Sequence, residues 1–215
     1  MIDARRLFTL RHASYVGFIR AVRYPQGLRA FFEHVPWLRS GLRVLDAGCG
    51  TGVVTLALRD ALGRRGLEPG LMNAFDLTPA MLDRFRASLQ RRGISNVELR
   101  QADVLHLDTL PDSWRSYDLV VTASMLEYVP RERLHEALAA LRDRLGPSGR
   151  MLLFITRRNW LTRPMIGRWW QSHLYSAREL LDALGRAGFS RYALQPFPWQ
   201  AKYLALWGLA VEAER

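Results

Sequence analysis

The chain has 215 residues, 49% of them apolar, and a formal net charge of +11. A chain of that length buries about 70% of its unfolded surface in one core, and half-apolar composition with seven tryptophans excludes a disordered segment. A single cysteine excludes a disulfide framework within the chain, and no apolar run reaches the ~18 residues of a membrane span. Arg11, His12 and Arg20 interrupt the N-terminal apolar runs, which argues against a secretory signal, so a reducing, cytoplasmic setting is expected. All but one of the 31 basic residues are arginine, Lys202 being the exception.

Taken in chain order, residues 7–24 place Phe8, Tyr15, Ile19 and Val22 among Arg11, Arg20 and Arg23, a basic amphipathic helix. Val44 to Gly52 then reads VLDAGCGTG: an apolar run, the acid Asp46, and glycines at alternate positions 48, 50 and 52. Apolar periodicity resumes at Val53 and continues to about Leu62, so the pattern is strand, glycine turn, helix. Leu71 to Phe75 predicts strand 2, ending at Asp76. Thr78 then serves as N-cap and Pro79 as first residue of a helix over 80–90 that Gly93 stops. Val97 to Arg100 predicts strand 3, followed by Asp103, and Tyr117 to Ala123 a buried strand 4. Arg131 to Leu145 carries apolar residues at helical spacing and ends in the GPSG loop before strand 5, Arg150 to Ile155. Residues 156–175 form a long aromatic and basic segment. Ser176 and Glu179 make a capping box for a helix to Arg186, and Ser190–Gln195 and Tyr203–Glu212 read as the last strands. Alternating strands and helices of these lengths argue for a parallel sheet covered on both faces.

The glycine turn discriminates between ligands. A dinucleotide fingerprint needs a third glycine three positions after Gly50, where Val53 stands, and no G-K-[ST] follows to hold a triphosphate. The D-x-G-x-G-x-G run resembles motif I of the class I S-adenosylmethionine (SAM)-dependent methyltransferases. That resemblance implies an α/β Rossmann-like doubly wound sheet of seven strands in order 3-2-1-4-5-7-6, the last antiparallel. It also implies SAM as cofactor and S-adenosylhomocysteine (SAH) as product. The expected layout is a single domain over 1–215: a helical extension over 1–41, a SAM-binding core over 42–155, a substrate-covering insertion over 156–175, and the rest of the sheet over 176–215.

Carried over residue by residue, the resemblance makes Asp76 the acceptor for both ribose hydroxyls, since a carboxylate suits a vicinal diol. Leu77 packs on the adenine, Asp103 accepts from its exocyclic amine, and the Val104 N–H points at a ring nitrogen. Gly48, Gly50 and Gly52 let the backbone approach the methionine half. Asp46 either orients that loop or reaches the amino group through water. The loop from Ser124 to Tyr128 lies beneath the methyl group. Cys49 is a small turn filler. Methyl transfer from a sulfonium draws mainly on positioning, and a base is needed only for a hydroxyl, thiol or carbon acid. Candidates are His135, His173, Tyr128, Tyr175 and Glu127; His173 and Tyr128 are preferred, and His135 is expected to face solvent. No metal-ligand spacing stands out.

The helix over 7–24 and the segment 160–175, with Trp169, Trp170, Leu174, Arg163 and Arg168, have two readings. They are helices packed on the sheet edge with snorkelling arginines, or a cation-rimmed apolar lid that admits an acceptor or rests on an anionic membrane. The expected partner is a small apolar, aromatic or lipid-like acceptor. Net charge raises a nucleic-acid methyltransferase as alternative, but ASMLEYVP lacks both the D/N-P-P-Y/F motif and a Pro-Cys nucleophile. A non-catalytic SAM-binding partner protein is the third reading.

Overall fold

A computed structural model of the chain describes residues 17, 19, 21–160, 162 and 172–215. Its strands are β1 (Val44–Ala47), β2 (Met72–Asp76), β3 (Val97–Gln101), β4 (Tyr117–Ala123), β5 (Leu145–Thr156), β6 (Arg191–Gln195) and β7 (Gly208–Glu214). They form one sheet in the order β3-β2-β1-β4-β5-β7-β6. β1 to β5 pair in parallel, and β7 runs antiparallel to both β5 and β6. The fold is therefore the seven-stranded Rossmann-like sheet that the motif order implied.

Among the described residues, five helices cover it: α1 (Tyr24–Glu33), α2 (Val53–Arg64), α3 (Pro79–Arg91), α4 (Leu134–Arg142) and α5 (Ala177–Arg186). Side chains alternate across each strand, so one strand feeds two cores. Leu119 and Val121 of β4, with Leu152 and Phe154 of β5, meet Phe31, Phe32 and Leu58 of α1 and α2. Val120, Met151 and Leu153 turn to the opposite face, against Leu138, Leu141, Leu180 and Leu184 of α4 and α5. Both faces being covered, the central strands are largely apolar. The expected capping box forms at α5: Ser176 Oγ accepts the Glu179 N–H, and the Glu179 carboxylate accepts the Ser176 N–H at 2.7 Å.

Three local expectations are corrected. The GPSG stretch is not a loop before the strand: β5 starts at Leu145, and its register against β4 shifts between Tyr117 and Leu119, making a bulge. A Cβ at Gly149 would stand 2.5 Å from the Tyr117 carbonyl, so the bulge requires that glycine. Tyr203 does not begin the last strand. Residues Trp199–Leu206 form a 3-10 turn whose Leu204 and Tyr203 pack on α1, and the Tyr203 hydroxyl donates to the Arg23 carbonyl at 2.8 Å. Thr78 occupies the N-cap of α3 without capping it through its side chain; its hydroxyl turns to Asp76 instead. Helix α1 falls within the helical extension expected over 1–41, though its bounds were not read from the sequence. Residues 17, 19 and 21 of the expected 7–24 helix are helical, and its other apolar and basic residues Phe8, Tyr15, Arg11 and Arg20 lie outside the described residues. So do Arg163, Arg168, Trp169 and Trp170.

No helix among the described residues is long and apolar enough to cross a membrane.

Candidate active site

The parallel strands point their carboxyl ends at one edge, and the loops leaving β1, β2, β3 and β4 meet there around a cavity of about 1080 Å³. The glycine turn forms its floor. Gly48, Gly50 and Gly52 all take left-handed φ, at 70°, 52° and 84°. The three glycines have different surroundings. A Cβ on Gly48 would stand 2.3 Å from the Met125 side chain of the loop after β4, and one on Gly52 2.0 Å from the Phe85 ring of α3. A Cβ on Gly50 would meet nothing within 4 Å, because Gly50 opens on the cavity.

Asp76, at the end of β2, holds this turn. Its Oδ2 accepts the Gly50 N–H at 2.8 Å and its Oδ1 accepts the Thr78 N–H at 2.8 Å. A carboxylate offers about four lone-pair directions, so two remain beyond these two amides. The Thr78 hydroxyl also reaches the carboxylate, and a hydroxyl rotates to suit its partners. Burial raises the Asp76 pKa from its ordinary value, against the lowering effect of those hydrogen bonds.

Of the other expected cofactor residues, Gly48, Leu77, Asp103, Val104 and Ser124 also line the cavity. Asp103 Oδ1 accepts the Leu105 N–H at 2.9 Å, which closes the turn presenting the Val104 backbone. Ser124 sits at φ 52°, a left-handed position uncommon outside glycine and often found at functional sites.

Asp46 and Gly52 do not line the cavity. Asp46 is buried, and its Oδ2 accepts both the Thr55 N–H at 3.1 Å and the Thr55 hydroxyl at 2.5 Å. It thus ties β1 to the first turn of α2. Its Oδ1 is buried with no hydrogen-bond partner among the described residues. Burial pushes its carboxyl up from 3.8 to about 7, with the nearby Asp76 adding to the effect. A carboxyl raised in the fold favours folding most below its unfolded value, and that contribution is lost as pH climbs through the folded value. Asp46→Asn removes this titration and keeps an oxygen for Thr55. Its melting temperature relative to the native chain should therefore rise between about pH 4 and 7 and level off above. A difference that stays flat or falls across that window, in thermal melts at matched ionic strength, contradicts the burial argument.

The candidate catalytic residues separate. Tyr128 and His173 both line the cavity, His173 being held there by its backbone N–H donating to the Glu127 carbonyl at 2.8 Å. Burial, then the charge of Arg131, lowers the His173 pKa, so its imidazole is neutral at pH 7 and able to take a proton. His135 faces neither the cavity nor, against the sequence expectation, open solvent: it is half-buried, with Nδ1 enclosed and unpaired among the described residues. Tyr175 is buried beneath the Arg131 guanidinium, 4.6 Å from its ring centroid, and belongs to the core. Burial pushes the Cys49 thiol up, which leaves it un-ionised and a poor nucleophile.

A narrow apolar recess of about 70 Å³ shares Tyr24, Ser124 and Tyr128 with the main cavity. Ile19, Val22, Phe154, Phe197, Leu204 and Trp207 line it, and so does Glu127. Sequence reasoning had no signal for this recess, since Ile19, Phe154 and Phe197 converge only through α1, β5 and the 3-10 turn.

Residues 44–149 match the family described as a methyltransferase domain. The carboxy-S-adenosyl-L-methionine synthase of Dichelobacter nodosus is 26% identical over 117 residues, 54% of this chain and 46% of that protein. Aklanonic acid methyltransferase DauC of Streptomyces sp. (strain C5) is 31% identical over 112 residues, 52% of this chain and 47% of that protein. The chain thus spans about half the length of these curated relatives. Among solved structures, PigF with SAH superposes with a TM-score of 0.71 at 20% identity, covering 90% of this chain and 56% of that one.

Proposed function

The chain belongs to the class I SAM-dependent methyltransferases, and from that premise we propose that it methylates a small apolar or aromatic acceptor in the recess beside Ser124. The observation that carries this reading is the continuity of two unlike spaces. The larger cavity, with Asp76 and Asp103 at its strand ends, meets a smaller apolar recess at Ser124 and Tyr128.

SAM, when bound, supplies a methyl group on a sulfonium that is already an activated leaving group. Asp76 accepts the ribose hydroxyls on the two lone-pair directions its backbone amides leave open, the Thr78 hydroxyl turning aside. Leu77 packs on the adenine, Asp103 accepts its exocyclic amine, and the Val104 N–H meets a ring nitrogen. Gly48 and Gly50 leave room for the methionine half, and Asp46 fixes the turn through Thr55. Tyr128 and His173 face the acceptor, and His173 is available to take a proton. The apolar walls hold the acceptor in line with the methyl group, which is where most of the rate arises.

The cover expected from segments 1–25 and 160–175 lies largely outside the described residues. Ile19, Val22 and Tyr24 at the end of the first line the recess, and His173 near the end of the second lines the cavity. Arg133, from the turn before α4, lines the cavity beside Glu132 and pairs with Glu136 at 2.8 Å. The name of one relative speaks of aklanonic acid, consistent with an aromatic acceptor; that of the other speaks of making a derivative of SAM itself. Both lead to the same cofactor half of the cavity. The reading includes a single functional unit over 1–215 and a cytoplasmic setting, with contact to an anionic membrane surface as the route for a lipid-like acceptor.

The test is cofactor affinity. Asp76→Ala removes a charge-assisted acceptor and should weaken SAH binding at least about tenfold by calorimetry. Unchanged affinity removes Asp76 from the site. A gel shift with RNA at physiological salt would favour the nucleic-acid alternative, and SAH binding without turnover of any acceptor the partner-protein alternative.

A further inference from the structure

Glu127 is one of the candidate bases of the sequence and has no task in the site described so far, yet its placement is specific. It is 2% exposed and lines the apolar recess together with Phe154, Phe197 and Leu204. Its Oε1 accepts the Thr156 N–H at 2.6 Å, where β5 ends. The hydroxyls of Thr156 and Ser124 also hydrogen-bond its carboxylate, and Ser124 is the residue on which cavity and recess join. Among the described residues it makes no salt bridge. A buried carboxylate that only neutral donors stabilise is costly, and persists where a ligand uses it.

We propose that Glu127 is the catalytic base of the acceptor site and that the acceptor is a hydroxyaromatic compound, whose O–H proton the Glu127 carboxylate accepts. The inference rests on the methyltransferase reading and names its substrate class. The acceptor's O–H bond breaks with the proton passing to Glu127. The oxygen's electron pair forms the new bond to the methyl carbon, the carbon–sulfur bond breaks with its pair left on sulfur, and the proton returns to solvent. The apolar walls suit an aromatic ring, and a hydroxyl on that ring would donate to the lone-pair direction that the three donors from Thr156 and Ser124 leave open.

Burial pushes Glu127 up to about 6, so it is charged at neutral pH and titrates within reach of experiment. The other titratable groups around it are Tyr175 with Arg131 stacked on its ring, His173 on the same segment, Tyr128 on its own loop, and Tyr24 across the recess. Tyr175 is itself pushed up to about 12 and stays neutral across the range tested.

The experiment titrates 1-naphthol and 1-methoxynaphthalene into the full chain saturated with SAH, from about pH 5 to 8, for the native protein and Glu127→Gln. Gln keeps an oxygen for Thr156, and melting curves confirm the fold. The native chain should prefer 1-naphthol at least tenfold at about pH 7.5, and the preference should fall as pH drops through about 6. Glu127→Gln should lose both the preference and its pH dependence, with SAH affinity within twofold. Equal affinity for the two naphthalenes, a preference that survives in Glu127→Gln, or binding of neither compound beside bound SAH overturns the assignment. Failure of the native chain to bind SAH overturns the methyltransferase reading instead.

Discussion

Gly50→Val should abolish cofactor binding while leaving a folded protein. Gly50 opens on the cavity, and a Cβ placed on it meets nothing within 4 Å, so the valine side chain extends into ligand space. SAH affinity should fall at least about 100-fold, because the methionine half loses its approach to the backbone. The protein carries only the strain of a β-branched residue at φ 52°. At about 1–2 kcal/mol this lowers the melting temperature by about 2–8 °C for a chain of this size. Calorimetry beside a thermal melt separates the two effects. Affinity within about fivefold of the native value would mean that the turn does not face the cofactor.

Gly52→Val should do the reverse and cost the fold. Its Cβ would stand 2.0 Å from the Phe85 ring, which is fully buried among Cys49, Ala74, Leu82 and Leu89 and has no space to retreat into. Overpacking costs about 1–3 kcal/mol or more, and the left-handed φ of 84° adds about 1–2 kcal/mol. A loss of at least about 3 kcal/mol is therefore expected in urea unfolding, a large share of a native stability of about 5–15 kcal/mol. Phe85→Leu should restore part of it, so Gly52→Ala with Phe85→Leu should cost less than the two changes summed. Strict additivity, or a Gly52→Val protein as stable as the native one, would contradict the packing explanation. Two glycines of one nonapeptide thus answer to different constraints: one to the ligand, the other to α3.

That difference is invisible in the motif. The spacing of Gly48, Gly50 and Gly52 fixes a left-handed strand-to-helix turn, because L side chains are disfavoured at those φ values, but not what lies over each glycine. Similarly, Asp46 and Asp76 are both acids at strand ends. Only the fold turns Asp46 back onto Thr55 and Asp76 onto the Gly50 amide at the cavity edge.

Local chemistry was enough for the elements of the sheet, and the motif I resemblance implied their order. The largely apolar run Tyr117–Ala123, the Ser176–Glu179 capping box and the alternation of short strands with amphipathic helices are short-range signals, and the structure keeps all three. The boundaries that moved are those set by neighbours. Gly149 joins β5 because the Tyr117 carbonyl lies against it, and Tyr203 leaves β7 because α1 offers the Arg23 carbonyl.

By itself the sequence determined the fold family, the cofactor class and the acids at the ends of strands 1 to 3, since each depends on residues near one another in the chain. The apolar recess was decided only by tertiary structure. Glu127 is one of five candidate bases in the sequence, and nothing local sets it apart until Thr156 and His173, 29 and 46 positions later, pack on its loop, and until Ile19, Phe154 and Phe197 supply apolar walls. Burial and the shifted proton affinity that follows from it belong to the assembled surroundings, which residues distant in sequence provide.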